Sequence, residues 1–252
     1  MKHPLNLFFD KIFVISIDRN KERLDVFLKN NSELDVEVFK GIDGQLLFPD
    51  LEHVSYFPER FFKINDLDKK SCSRFNKGQL GCAMSNKLIH KLTVDNSYKQ
   101  VLILEDDALL LPTYLTNFKM ATKELPKNWE LFYLGYNPLS NCSENSFLRI
   151  LTRIKYFIKP VIIEGMSSGS TTQSFFSSSF SKNLNIPGLY TGTHAYALSY
   201  EGAIKLIQLD SPLRKGFDVL LMYANYYKLL KSYSLKKQLF IPNKNFESSL
   251  IN

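Results

Sequence analysis

Residues 100–107 read Gln-Val-Leu-Ile-Leu-Glu-Asp-Asp, and they carry the strongest signal for the fold class. Its continuous apolar run is the kind expected for a β-strand that is buried on both faces. Strands of this kind belong to parallel sheets that are covered by helices. The run ends abruptly in three adjacent acidic residues, Glu105, Asp106 and Asp107. The stretch therefore predicts an α/β domain with an acidic cluster at the end of a central strand.

The rest of the chain alternates strand and helix patterns around this stretch. Short apolar runs predict strands, and apolar residues at helical spacing predict helices. The predicted strands are residues 11–17, 36–39, 100–104, 129–136 and 193–198. The predicted helices are residues 21–30, 78–92, 112–125, 200–209 and 216 to about 233. This alternation favours a mostly parallel sheet flanked by helices.

Composition indicates an ordinary folded protein. The chain has 252 residues, of which 44% are hydrophobic and 23% charged, and this excludes disordered, collagenous and coiled-coil classes. We expect residues 1–252 to form a single domain, with residues 138–188 as a variable insertion. Within the insertion, residues 147–160 predict a basic amphipathic helix, and the Ser-rich residues 167–181 predict a mobile loop.

Charge and cysteine content bear on partners and compartment. The net charge of +7 predicts attraction to an anionic partner. Cys72, Cys82 and Cys142 form no paired framework, so we expect free thiols in a reducing, cytoplasmic compartment. We find no signal-peptide pattern and no uncharged apolar run of the ~18–20 residues that a membrane span requires. The aromatic residues follow core periodicities without a recognition motif, so we expect no nucleic-acid partner.

The acidic cluster is the strongest chemical signal. Adjacent carboxylates at the rim of an apolar strand repel one another, so a compensating cation is expected. The carboxyl ends of strands form the ligand crevice of open α/β sheets, where a divalent ion can hold the phosphates of a ligand. Glu105 and Asp107 point to one side of an extended strand, and Asp106 to the other. The alternative is a structural role in a helix cap or a solvated turn.

Several segments together resemble glycosyltransferase family 25, the lipopolysaccharide and lipooligosaccharide glycosyltransferases. The opening IFVISIDRNKERLDVF (12–27) is similar to the first strand and Arg-containing helix of that family. The other similar segments, in family order, are GQLGCAMSNKLIHKL (78–92), VLILEDDA (101–108), WELFYLGY (129–136), GTHAYALS (192–199) and GFDVLLMY (216–223). The resemblance covers most of the chain except residues 138–188.

The resemblance implies a GT-A-like, Rossmann-type fold and an inverting transfer from a nucleotide sugar. It implies that Asp107 binds a divalent metal, Mn²⁺ or Mg²⁺, and that Glu105 and Asp106 contact metal, ribose or donor sugar. His194 is a further candidate metal ligand, with a structural role as its alternative. The favoured donor is UDP-galactose, followed by UDP-glucose. The implied acceptor is a sugar hydroxyl of a lipid-linked oligosaccharide, in lipooligosaccharide or lipopolysaccharide.

An inverting displacement needs a base that removes the proton of the attacking hydroxyl. Asp218 matches the Asp at the start of a late helix of the family and is the first candidate for this catalytic residue. Its alternative role is to cap that helix. Asp106 is the second candidate base, and Glu201 is a weaker one.

Other residues are candidates for binding the donor. Arg23 matches the first-helix Arg of the family, and Arg19 lies close to it in sequence; surface charge is the alternative for both. Thr193, beside Gly192, would allow close approach of a substrate to the backbone. Gln79, Ser85 and Asn86 are candidates to line the site, although many family members have an acidic residue in place of Gln79 and a Ser-His pair in place of Ser85-Asn86.

Two further expectations complete the sequence-based account. The basic residues 147–160, with the run 226–237, favour peripheral attachment to an anionic membrane, on the cytoplasmic face of the inner membrane. An ordinary packed helix is the alternative. A metal-dependent phosphohydrolase or nuclease is the rival function, because strand-end carboxylates also build two-metal sites.

Overall fold

The computed structural model describes residues 2–47, 75–138 and 176–246, together with positions 66, 154, 158, 162–163 and 166–167. The helices are α1 (Pro4–Phe8), α2 (Lys21–Asn30), α3 (Gly44–Leu47), α4 (Lys77–Asp95), α5 (Leu115–Glu124), α6 (Tyr200–Leu209) and α7 (Phe217–Tyr226). The strands are β1 (Lys11–Ser16), β2 (Val36–Lys40), β3 (Gln100–Glu105), β4 (Ala108–Leu110), β5 (Leu131–Pro138), β6 (Ile162–Ile163), β7 (Met166–Ser167), β8 (Ser178–Ser179), β9 (Leu184–Ile186), β10 (Tyr190–Ser199), β11 (Ser232–Leu235) and β12 (Phe240–Pro242). Short 3₁₀ turns at Asp18–Asn20 and Pro112–Tyr114 precede α2 and α5.

The described residues form one large sheet in the order β2-β1-β3-β10-β5-β11-β9-β8. The pairs β1–β2, β1–β3 and β5–β11 are parallel, and the pairs made by β10 and β9 are antiparallel. All strands of this sheet except β9 and β10 therefore run in one direction. The predicted α/β fold, with a mostly parallel sheet flanked by helices, is confirmed.

Apolar strands at the centre of the sheet explain why helices cover both faces. Residues 101–104 of β3 are 0–1% exposed, as their sequence predicts. Side chains on one face pack with α1, α2 and α5, and those on the other face pack with α4, α6 and α7. Apolar burial is the main stabilising term in folding. The two layers of helices therefore hold the strands in place, including the ends of β1 and β3.

Helix α4 approaches the loop after β2 very closely. Its start is fixed by a capping box, in which Asn76 and Gln79 each bond the backbone of the other. A Cβ on Gly81 would lie 2.4 Å from the Ile42 carbonyl oxygen, and one on Gly44 would lie 1.6 Å from the Lys77 carbonyl oxygen. Only glycine permits this approach, which makes α4 one wall of the pocket described below.

The structure corrects one predicted element and adds others. The helix predicted from residue 216 to about 233 ends at Tyr226, so its last part is wrong. Lys228 has a φ of 55° that breaks the helix, and Ser232–Leu235 pairs with β5 as β11. Pairing between distant strands overrides the local helical pattern here. Strands β4 and β12, which the sequence did not predict, pair with each other in a separate two-stranded sheet.

Most of the predicted insertion, residues 138–188, lies outside the described residues. Of the predicted amphipathic helix 147–160, the structure describes only Ile154 and Ile158, which are helical and exposed. The predicted mobile loop 167–181 is described only in part, and the single-domain organisation stays a prediction. Among the described residues, no helix combines the length and the apolar character needed to cross a membrane.

A buried acidic group far from the acidic cluster gives a test of this packing. The Nζ of buried Lys87 donates to the Asp210 carbonyl oxygen at 2.7 Å and to Asp66 Oδ2 at 2.9 Å. Burial raises the pKa of the Asp210 carboxyl from 3.8 to about 7. Its Oδ1 is buried without a hydrogen-bond partner among the described residues.

We therefore expect Asp210→Asn to stabilise the protein at alkaline pH. The folded protein keeps this proton above the pKa of the unfolded chain, so the wild type loses stability as pH rises from about 4 through 7. The variant has no such proton and should match the wild type near pH 4, then exceed it by roughly 2–4 kcal/mol at pH 8. Urea unfolding across this range measures the difference. Equal stability at pH 8 would show that folding does not raise the pKa of the Asp210 carboxyl.

Candidate functional site

A pocket opens where β1 and β3 end, beneath α4. The parallel pairing of Ile15 with Glu105 places the ends of these two strands side by side. The loop after β1, the loop after β2, the start of α4 and the acidic cluster meet there. The residues lining the pocket are Ile15, Ser16, Ile17, Arg19, Asn20, Arg23, Ile42, Asp43, Gly44, Gly78, Cys82, Ser85, Asn86, Glu105, Asp106 and Asp107.

Asp106 is held rigidly at the base of this pocket. Its side chain is 4% exposed. Oδ2 accepts hydrogen bonds from the Ser16 hydroxyl at 2.7 Å and from Asn20 Nδ2 at 3.3 Å, and Oδ1 pairs with the Arg23 guanidinium. Burial raises the pKa of Asp106, while the Arg23 charge and the two hydrogen bonds oppose the rise. Asp106 therefore anchors the loop after β1 to the acidic cluster.

Arg23 connects the two aspartates. Its Nη2 lies 2.5 Å from Asp106 Oδ1 and 3.2 Å from Asp107 Oδ2. The second oxygen of Asp107, Oδ1, is buried and has no hydrogen-bond partner among the described residues. A buried carboxylate oxygen without a partner is costly unless a ligand satisfies it. Asp107 Oδ1 is thus the oxygen best suited to a cation that enters the pocket.

Glu105 experiences the negative charges around it. Burial, followed by the charges of Asp107, Asp218 and Asp106, raises the pKa of Glu105 well above its usual range. The Arg23 charge opposes this rise only in part. The ionised form of Glu105 is therefore disfavoured beside the neighbouring carboxylates, and a positive ligand would stabilise it.

Asp218 is not among the pocket-lining residues, and a bulge in β10 holds its carboxylate. The register of β10 against β5 shifts between Thr191 and Ala195, and Gly192 adopts a φ of +55°. In the bulge, the backbone N–H groups of Gly192 and Thr193 donate to Asp218 Oδ2 at 2.9 Å and to Oδ1 at 3.2 Å. The carboxylate lies in the first turn of α7, and no side-chain bond caps that helix. Asp218 fixes the bulge in β10, a contact that differs from the predicted alternative of a helix cap.

His194 is buried between two backbone carbonyls. Its Nδ1 lies 2.8 Å from the Gly192 carbonyl oxygen, and its Nε2 lies 3.1 Å from the Phe240 carbonyl oxygen. Burial lowers the pKa of His194, and the two carbonyls oppose this. A Cβ on Gly135 would lie 2.6 Å from Nε2, so the ring is closely enclosed. Both ring nitrogens face carbonyl oxygens, an environment that fits the structural alternative, and the metal-ligand role of His194 stays a prediction.

The predicted residues of α4 reach the site to different extents. Gln79 is not among the pocket-lining residues and serves in the capping box. The Ser85 hydroxyl donates to the Gly81 carbonyl oxygen at 2.7 Å and accepts from the Ile42 N–H at 2.8 Å. Ser85 therefore lines the pocket while its hydrogen bonds hold α4 to the loop after β2.

Asn86 also lines the pocket with its amide already engaged. Its Oδ1 accepts from the Tyr196 hydroxyl at 2.7 Å, and its Nδ2 donates to the Cys82 carbonyl oxygen at 2.9 Å. The Tyr196 hydroxyl oxygen in turn lies 3.0 Å from His90 Nε2. This chain of side chains fixes Asn86 against the sheet. Cys82, a free thiol, lies beside it, and burial raises the pKa of that thiol above its usual range.

The structure places the remaining predicted residues as follows. Arg19 lines the pocket, and its Nε lies 3.1 Å from Asp43 Oδ2. Thr193 is not among the pocket-lining residues; its Oγ1 is buried without a hydrogen-bond partner among the described residues. Glu201 is exposed in the first turn of α6, where β10 ends, and so lies at the opposite edge of the sheet from the pocket.

The sequence analysis missed several residues of the site. Ser16, Asn20 and Asp43 contact the predicted site residues directly, and the first two follow the strand β1 closely. The rule that ligand crevices form at the carboxyl ends of strands could have identified Ser16 and Asn20. No local pattern predicts the arrival of Phe240, whose carbonyl contacts His194 from a distant part of the chain.

The residues present offer an incomplete metal site. No group of three His, Cys, Asp or Glu residues within the described part of the chain is arranged to hold a metal ion. Asp107 Oδ1 nevertheless suits a hard divalent cation, because carboxylate oxygen is the ligand that such ions prefer and this oxygen lacks a partner. The pocket therefore fits a metal ion that one or two carboxylates of the protein would bind. The phosphate of a ligand would complete the coordination of that ion.

The chain resembles several known proteins over part of their length. It is 28% identical over 147 residues to procollagen galactosyltransferase 2 of Homo sapiens, a match that covers 53% of the chain and 22% of the relative. It is 30% identical over 149 residues to a procollagen lysyl hydroxylase and glycosyltransferase of Acanthamoeba polyphaga mimivirus, covering 53% and 16%. It is 26% identical over 230 residues to a probable inactive glycosyltransferase 25 family member 3 of Bos taurus, covering 86% and 32%. The chain thus spans a third or less of the length of these relatives.

Among solved structures, the apo-form glycosyltransferase GlyE of Streptococcus pneumoniae TIGR4 is similar with a TM-score of 0.39 and 11% identity, covering 95% of this chain and 55% of that one. A family model described as glycosyltransferase family 25 (LPS biosynthesis protein) matches residues 9–221. This match covers most of the chain and includes the acidic cluster, Arg23 and Asp218. The chain therefore belongs to glycosyltransferase family 25.

Proposed function

We propose that this protein is an inverting, metal-dependent hexosyltransferase. It moves galactose, or glucose, from a UDP-sugar to a sugar hydroxyl of a lipooligosaccharide or lipopolysaccharide chain. The observation that carries the proposal is the pocket of a family 25 chain in which Glu105, Asp106 and Asp107 meet Arg19 and Arg23. The galactosyltransferase named among the relatives supports galactose as the first donor to test.

The proposed donor site combines positively and negatively charged side chains of this pocket. Arg19 and Arg23 supply guanidinium groups, which match phosphate oxygens well. Asp107, through the oxygen that lacks a partner, and Glu105 would hold the divalent cation. When bound, that cation neutralises the diphosphate and the charge that grows on the UDP leaving group. Asp106 serves this site by holding Ser16, Asn20 and Arg23 in place.

Asp218 is the proposed base. Two backbone N–H groups fix its carboxylate, and each oxygen keeps a further lone pair that can accept the proton of the acceptor hydroxyl. Its charge is among those that raise the pKa of Glu105, a residue that lines the pocket, although Asp218 itself does not line it. Asp106 is a poorer candidate, because its two oxygens are already engaged by Ser16, Asn20 and Arg23.

An assay of donor cleavage tests the proposed reaction. UDP-galactose, UDP-glucose and UDP-N-acetylhexosamines are incubated with Mn²⁺ or Mg²⁺, with and without simple glycoside acceptors, and released UDP is measured. We expect release that depends on metal and rises with acceptor. Cleavage of phosphodiesters with no response to acceptor would instead support the rival phosphohydrolase or nuclease function. Since some family relatives are named as inactive, catalysis by this chain has to be measured directly.

We further propose that the protein works in the cytoplasm, attached peripherally to the inner membrane. A lipid-linked acceptor would make such attachment useful. Exposed Tyr227 and Leu229, beside exposed Lys228 and Lys231, give residues 226–237 the mixed apolar and basic character of a membrane-interface segment. Residues 147–160 have the same character in sequence.

Flotation with anionic vesicles tests this attachment. We expect the wild type to float with phosphatidylglycerol vesicles and not with phosphatidylcholine vesicles. Replacing Arg149, Arg153 and Lys155 by Glu should reduce binding at least ~10-fold, since each basic residue near an anionic surface contributes about 1 kcal/mol. Replacing exposed Lys119 and Lys123 of α5, together with exposed Lys127, by Glu is the control for net charge. Equal flotation of the triple variant and the wild type would refute membrane attachment through residues 147–160.

A further inference from the structure

Residues 238–246, here called the crossing segment, run from the end of the sheet back to the acidic cluster. The Leu239 N–H donates to the Leu134 carbonyl oxygen at 2.9 Å, which fixes the segment to β5. Strand β12 then pairs with β4, the strand that directly follows Asp107. The segment is therefore anchored on both sides before it reaches the pocket.

Three contacts connect the crossing segment to functional residues. The Phe240 carbonyl oxygen meets His194 Nε2 at 3.1 Å. The Asn243 N–H donates to the Asp107 carbonyl oxygen at 2.8 Å. The Phe246 ring lies under the Arg23 guanidinium, with Cζ 5.9 Å from the ring centroid. These contacts place a part of the chain remote in sequence against the acidic cluster.

The Phe246 contact limits the conformations that the Arg23 side chain can adopt. A guanidinium is weakly hydrated and stacks well on an aromatic face, which attracts its positive charge. On the opposite side Arg23 is drawn to Asp106 and Asp107 through Nη2. A long side chain held from two directions has few alternative rotamers, so its binding of an anion costs less conformational entropy.

We propose that Phe246 is a positioning residue, which holds the Arg23 guanidinium at the acidic cluster. There the same guanidinium contacts both the carboxylates and the diphosphate of the donor. The inference rests on the proposed function, because it assigns the donor phosphates to Arg23. It predicts an effect on donor binding that depends on the aromatic ring and is transmitted through Arg23.

Substitutions at Phe246 distinguish the effect of the aromatic ring from the effect of apolar volume. We expect Phe246→Ala and Phe246→Leu each to weaken binding of UDP with Mn²⁺, and to raise the KM for the UDP-sugar, by about 2- to 5-fold. The kcat should stay nearly unchanged, and Phe246→Trp should restore or improve binding because indole is the best cation–π partner. Titration calorimetry with UDP, steady-state kinetics and melting temperatures provide the measurements. Phe180→Ala, at an exposed phenylalanine, is the matched control.

A double-mutant cycle then tests the route through Arg23. In an Arg23→Ala background, Phe246→Ala should have little further effect on UDP binding. Equal binding by wild type and all Phe246 variants would overturn the inference, as would a Leu variant that binds like the wild type. A wild type that binds no UDP under any metal condition would refute the proposed function itself, so the two failures are distinguishable.

Discussion

Asp107→Asn is expected to abolish sugar transfer and metal-dependent binding of UDP together. The substitution removes the charge of the one cluster oxygen that is buried without a hydrogen-bond partner among the described residues. A neutral amide is a poor ligand for a hard divalent cation, and a catalytic metal ion typically contributes several kcal/mol to transition-state stabilisation. We therefore expect turnover to fall at least ~1,000-fold.

Titration of UDP in the presence and absence of Mn²⁺ checks this prediction independently of activity. The wild type should bind UDP more tightly with Mn²⁺, and Asp107→Asn should lose that difference. Asp18→Asn is the matched control, because Asp18 is exposed and pairs with Lys40 at the surface. Metal-dependent UDP binding that survives in Asp107→Asn would move the cation to other residues.

Asp218→Asn is expected to leave donor binding intact and to slow transfer by at least ~100-fold. General-base catalysis contributes about this much or more, and an amide cannot accept the proton of the acceptor hydroxyl. The amide oxygen can keep one of the two backbone hydrogen bonds from Gly192 and Thr193, while its NH₂ group faces the other N–H. Calorimetry with UDP shows whether the pocket survives this local change.

The control for Asp218→Asn is Glu201→Gln. Glu201 also lies in the first turn of a helix, but at the opposite edge of the sheet. We expect it to retain wild-type kcat. Normal transfer by Asp218→Asn would assign the base to another residue, and loss of UDP binding in that variant would give Asp218 a role in the donor site.

The sequence predicts those parts of the fold whose signal is local. Residues 101–104 are apolar without interruption and form the buried centre of β3, and the apolar stripe of residues 78–92 forms most of α4. Strands β11 and β12 carry no such signal, since they are short and their partners lie far away in sequence. The backbone at Lys228 ends α7 early for the same reason: pairing of Ser232–Leu235 with β5 competes with helix formation.

In the candidate site, too, the local features were predictable and the tertiary contacts were not. Glu105, Asp106 and Asp107 lie at the end of β3, where the sequence predicts them, and Arg23 in the first turn of α2 pairs with the two aspartates. The surroundings of His194 are not predictable in this way, because two carbonyls, one of them from Phe240, approach its ring nitrogens. Such contacts depend on tertiary structure, and no spacing within the sequence reveals them.

In the proposed donor site, a divalent cation bound by Asp107 would hold the diphosphate of the donor. Anomalous diffraction from a crystal grown with Mn²⁺ and UDP would locate that cation. We expect a manganese peak bonded to the Asp107 carboxylate and to phosphate oxygens, with Arg23 against the same diphosphate. An ordered UDP with no manganese near Asp107, and both aspartates still paired only with Arg23, would contradict the claim.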